Sequence, residues 1–184
     1  MLSLLSVGLT SVLALADPAA PALTPSATSI PVSPAHYLLL NAPDRRVRVT
    51  DARLQSMLAE GLNRSKTFAS LVTSLNRTDV IVYIESVMVL PKNTIGRLTM
   101  MPRAGQFRYL RIQIRTDLTR RESISLIGHE LQHALEIADA LEVRDSNSLV
   151  RLYERIGHES GGDHAYDTDA AQDTGRIVSR ELRG

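Results

Sequence analysis

The chain has 184 residues, 21 Lys and Arg against 20 Asp and Glu, and a formal net charge of +1, which excludes a general electrostatic pull toward nucleic acid or an anionic membrane. It has no Cys, which excludes disulfides, thiolate metal sites, a cysteine nucleophile and a lipoprotein-type anchor. An apolar content of 43% with 22% charged residues is that of a globular chain, long enough for one domain with a real core plus a tail.

Residues 1–16, Met-Leu-Ser-Leu-Leu-Ser-Val-Gly-Leu-Thr-Ser-Val-Leu-Ala-Leu-Ala, read as a signal peptide. The apolar run falls short of the roughly 20 residues that a membrane span needs, and Ala14-Leu15-Ala16 is a small-x-small cleavage site. No Lys or Arg precedes the run, so a retained apolar anchor is the rival reading. The signal reading makes the protein secreted or periplasmic, with no stable membrane association after cleavage. Residues 17–35 contain five prolines among Ala, Ser and Thr, which cannot pack a core and read as a linker. The folded domain is expected over residues 36–184.

Within it, Leu38-Leu39-Leu40 suggests a short strand. Asp51 to Leu62 carries apolar residues at 54, 57, 58 and 62, an amphipathic helix closed by Gly61 and Asn63. Ser65 to Leu75 gives a second helix, with Phe68, Leu71, Val72 and Leu75 on one face. Val80 to Ile84 is β-branched and apolar on both faces, as in a central strand. Gly96 to Met101 and Arg108 to Ile114 read as two more strands, joined as a hairpin through Arg103-Ala104-Gly105-Gln106.

Next comes Ile127-Gly128-His129-Glu130-Leu131-Gln132-His133, which contains H-E-x-x-H. Apolar residues at helical spacing surround it, no Pro lies between Thr119 and Val143, and Thr119 with Glu122 forms a capping-box pattern. In a helix, His129 and His133 share a face and can point two imidazoles at one Zn²⁺. Glu130 stands beside them, where its carboxylate can take a proton from a metal-bound water and pass it to a leaving amine. The rival is a helix whose histidines merely pack, with the motif there by coincidence. After it, Ser148 to Ile156 reads as a short helix, Gly157 to Asp167 as a Gly- and His-rich loop, and Thr168 to Leu182 as a last helix.

Over those five residues the sequence resembles the zincin metallopeptidases. From His129 to Leu182 it resembles, more loosely, small secreted bacterial HExxH proteins. The resemblance implies a zinc-dependent peptidase acting on a peptide or protein substrate, with Glu130 as general base. It also implies a sheet over the active helix whose edge strand can pair with extended substrate. The fold expected is α+β: a small three-stranded, mostly antiparallel sheet on the HExxH helix, with N-terminal helices and a C-terminal helix.

A catalytic zinc site takes three protein ligands and leaves one position open. Asp139 has the metzincin spacing, but Glu136 replaces the helix-breaking Gly, which leaves Asp139 about 120° from the histidine face. Glu136 is on that face and suits support of an imidazole N–H. Glu154 approximates the gluzincin spacing but is flanked by Arg151 and Arg155. Asp167 opens the last helix in Tyr166-Asp167-Thr168, an aromatic-acid-Thr step that the resemblance to the small bacterial group favours. The metal ligands expected are therefore His129, His133 and Asp167, with His158, Asp163 and His164 as further alternatives. Tyr153, Tyr166, His158 and His164 are all candidates to steady an oxyanion. A second function class stays open: a non-catalytic metal-binding or protein-interaction domain that retains the helix.

Overall fold

The computed structural model describes residues 45–49, 51–91, 94–159 and 165–184, with the backbone of Val7–Gly8. The expected linker, the Leu38–Leu40 strand, Asp163, His164 and all but two residues of the expected signal peptide lie outside the described residues. In chain order the elements are β1 (Val7–Gly8), β2 (Val47–Val49), α1 (Ala52–Arg64), α2 (Lys66–Leu75), β3 (Val80–Val87), β4 (Gly96–Ala104), β5 (Phe107–Arg115), α3 (Arg120–Asp139), α4 (Ser146–Ile156), β6 (His158–Glu159), β7 (Ala165–Asp167) and α5 (Asp169–Glu181). No helix among the described residues is long and apolar enough to cross a membrane.

The class is α+β, but the three-stranded, mostly antiparallel sheet is corrected. The main sheet has four strands in the order β2-β3-β5-β4. It is mixed: β2 and β5 both run parallel to β3, and only β4 is antiparallel, to β5. The added strand, β2, is three residues of Val and Arg whose partner, Val82 to Ile84, lies 35 positions away, beyond the reach of local pattern. The β4–β5 hairpin turns at Gly105, whose φ of +61° is in the left-handed region that favours glycine. β4 is an outer strand, and past Met101 its pairing shifts register at exposed Pro102 and Arg103. The loop expected over residues 157–167 contains β6 and β7, which pair antiparallel, with β1 on the other side of β7.

The helices follow their caps. Asp51 accepts the Leu54 N–H at 2.8 Å and Ser65 accepts that of Phe68 at 3.0 Å, starting α1 and α2. α1 does not stop at Gly61. A Cβ there would come within 2.9 Å of the Phe68 ring, so this glycine serves the α1–α2 approach rather than a helix end. Thr119 and Glu122 complete the capping box of α3, with the Glu122 carboxylate accepting from the Thr119 N–H at 2.9 Å and hydroxyl at 2.6 Å.

The inner sheet face (Val82, Ile84, Leu98, Leu110, Ile112, Ile114) packs with Leu54, Leu58, Phe68, Leu75, Ile124, Ile127 and Leu131 in one buried cluster. Each such side chain contributes roughly 1.5–3 kcal/mol by leaving water. Arg108 shares the inward parity of Leu110 and Ile112 and is fully buried. Its guanidinium donates to the carbonyls of Ile137 (2.6 Å), Ala138 (2.9 Å), Ala140 (2.9 Å) and Val143 (3.3 Å), and to both oxygens of Asp79 (2.6 and 2.9 Å). The last turn of α3 has no basic residue of its own, so a strand residue caps its orphan carbonyls.

Candidate metal centre

α3 is buried on several faces at once, and each face has a different neighbour. Leu126 and Glu130 turn to the outer strand: a Cβ built on Gly96 would meet Leu126 Cδ1 at 2.8 Å and Glu130 Oε1 at 3.0 Å. Gly128 faces Val178 of α5 and Phe68 of α2. His129 and His133 turn to the start of α5, with ring centroids 4.7 Å apart and planes at 79°.

There they meet Asp167, the last residue of β7. His129 Nε2 and His133 Nε2 are 3.1 Å apart, and Asp167 Oδ1 lies 3.3 Å from the first and 3.4 Å from the second. All three residues are at most 1% exposed. Donors bound tetrahedrally to an ion at about 2.0–2.1 Å stand about 3.3–3.4 Å from one another. The triangle therefore has the edges that three such donors need, and the buried triad could hold a metal ion.

Supporting groups fix the donors. His133 Nδ1 donates to Glu136 Oε2 at 2.9 Å, which turns Nε2 toward Asp167. The other Glu136 oxygen accepts from the Thr168 hydroxyl at 2.7 Å. Thr168 is the N-cap of α5, and its hydroxyl accepts the Ala171 N–H at 3.1 Å. Asp167 Oδ1 accepts the Thr168 N–H at 2.7 Å, and Oδ2 accepts from Gln172 Nε2 at 3.0 Å. Behind His133, Tyr153 packs edge-on at 5.4 Å and donates to the His133 carbonyl at 3.4 Å.

Electrostatics divide the four groups. Burial and the neighbouring His133 ring push His129 down to about 3, against the pull of Asp167 and the nearby Ala171 backbone. Burial alone would lower His133, but Asp167, Glu136 and Glu130 outweigh it and carry the ring up to about 9. Burial likewise pushes Asp167 up, and contacts with His133, His129 and Gln172 overcome it and hold the carboxyl below its usual range. Glu130 is raised to about 8, chiefly by burial. Neither of its oxygens has a hydrogen-bond partner, and His129 Nδ1 also lacks one.

Of the other candidate ligands, Asp139 is exposed at the end of α3, Glu154 is exposed on α4, and His158 is exposed with Gln172 Nε2 at 3.3 Å from its Nε2. None joins the triad. Tyr153 is directed at backbone and Tyr166 stacks on Tyr153 at 6.4 Å, so neither phenol is committed to the donor triangle. A groove of about 420 Å³ between α2 and α3, lined in part by Lys66, Ser70, Leu71 and Leu135, holds none of the site residues. Reading for ligands did not find Thr168, Gly96 or Gly175. The signal available was a Thr beside the favoured Asp and glycines set within a strand and a helix, where they cost stability without a reason of close approach.

No family model matches the chain, and no curated protein or solved structure matches it.

Proposed function

We propose that the protein is a zinc-dependent metallopeptidase of zincin type, with His129, His133 and Asp167 as ligands and Glu130 as general base. The observation that carries this is the conjunction of a donor triangle sized for a tetrahedral ion with a buried, unpartnered carboxylate one residue from a ligand. Zinc, when bound, would polarise a substrate carbonyl and bring the pKa of a water to about 7.

The chain's own residues supply the rest. Glu130 is not one of the three converging donors, so its oxygens are free to accept a proton and return it to the leaving amine. A carboxyl raised toward neutrality is matched to both halves of that task. Glu136 fixes the His133 tautomer and makes the ring a better donor. β4 brings Gly96, without a side chain, against Glu130, and its outer edge offers main-chain groups to which an extended peptide can pair.

Burial of all four groups favours a second reading, in which the metal only ties α3 to the segment before α5. Zinc content and peptide hydrolysis of wild type, Glu130→Gln and His133→Ala separate the two. The peptidase reading expects about one zinc per chain in the first two and none in the third, with hydrolysis in wild type alone. Zinc bound without hydrolysis of any peptide in a broad library supports the structural reading. No zinc after refolding with zinc present sinks both.

A further inference from the structure

Resting on the metal reading above, we infer that Gly128 and Gly175 are positioning residues that set the reach of Asp167 to the two histidines. His129 and His133 are fixed relative to each other by one helix. The third donor arrives on a separate element, and its place depends on how closely α5 lies against α3. A glycine from each helix sits at that crossing. A Cβ on Gly128 would meet Val178 Cγ2 at 3.0 Å, and one on Gly175 would meet His129 Cβ at 3.3 Å and the Ser125 carbonyl oxygen at 3.5 Å.

Both glycines lie inside helices, where alanine is the more favourable residue, so close approach is the reason for them. The ends of α5 are held independently. Thr168 is bonded to Glu136 at the start. At the far end Glu181 accepts from the Ser65 hydroxyl, from the Thr67 N–H at 3.2 Å and from the Thr67 hydroxyl at 3.0 Å. With both ends tied, an added methyl at the crossing has to be absorbed near His129 and Asp167. A shift of a few tenths of an ångström matters there, because a metal site tolerates misplacement of only about 0.5 Å.

The test uses the full chain and zinc alone, with affinity measured by competition with a chromophoric chelator and the melting point measured on metal-free protein. Gly128→Ala is expected to weaken zinc binding by about tenfold or more. Adding Val178→Ala removes the opposing methyl and is expected to restore most of that affinity, although it does not raise the metal-free melting point. Gly175→Ala, the softer contact, is expected to move affinity in the same direction by less. A merely structural role makes affinity follow stability, so a double variant that stays weak overturns the inference, as does either single variant that binds like wild type. If Gly128→Ala does not fold, Gly175→Ala alone decides by the same criterion. A wild-type chain that binds no zinc overturns the metal reading and this inference together, and is thereby told apart from failure of the inference alone.

Discussion

Arg108 and Glu130 both serve α3, about two turns apart along it, and both are buried ionisable groups. Arg108 spends its guanidinium on four carbonyls and both oxygens of Asp79, and Asp79 is held below the usual carboxylate range chiefly by that hydrogen bonding. Glu130 has neither oxygen paired. A protein interior satisfies the great majority of its buried polar groups, and this chain does so at the end of α3. Both Glu130 oxygens and His129 Nδ1 are instead left without a partner beside the converging donors. The difference separates a buried ionisable group whose hydrogen bonds are made within the fold from one whose two oxygens are left unpaired.

Substitution can break that comparison from either side. The largest effect is expected at the satisfied cluster. Arg108→Met strands Asp79 and the carbonyls of α3, and should cost about 3–5 kcal/mol, read as a lower midpoint in urea. Arg108→Lys should not rescue it, since an ammonium cannot reproduce the planar fork. A loss below about 1 kcal/mol would show that the cluster is not the clamp described.

At the unsatisfied cluster the effect should depend on pH. The Glu130 pKa is raised to about 8 from an ordinary 4.5, so the folded chain keeps a proton that the unfolded chain releases. Stability from that proton is full below about pH 4.5 and lost as pH rises through about 8. In chelator-treated protein, Glu130→Gln should therefore overtake wild type progressively across this window, by on the order of 2–4 kcal/mol above it. Parallel stability profiles for the two proteins would place Glu130 in contact with water or a partner.

The smallest of the three lies between the clusters in character. Glu136 is partnered, and its partners are His133 and Thr168. Glu136→Gln should weaken zinc about 10–100-fold with little change in the metal-free melting point. A variant that loses melting temperature and keeps its zinc affinity would make Glu136 architectural, like Arg108.

What was legible in the sequence was local. The HExxH helix, its capping box and the β4–β5 hairpin are each set by residues within a few positions of one another, and Glu136 could be placed on the histidine face by counting. Asp167 was favoured through resemblance, since nothing within its own segment fixes a partner 34 positions back. β2 was missed because three residues carry no period, and the parallel pairing of β3 with β5 is a long-range choice. Arg108 left a signal that went unread. In the third strand it falls on the parity of Leu110, Ile112 and Ile114, and an arginine on an inward face requires buried acceptors.

β4 has one further consequence, for the behaviour of the protein in a crowd of its own copies. An outer strand with free N–H and C=O groups invites another chain to add to the sheet and grow an aggregate. Here Pro102 has no N–H to offer, and the pairing shifts register beyond Met101, so the far half of the strand is a poor template. The stretch in regular register is Gly96–Met101, and Gly96 at its start lies against Glu130. A second copy adding to this edge would lay its own strand beside Gly96, and so close to Glu130, which would couple self-association to the surroundings of that carboxylate.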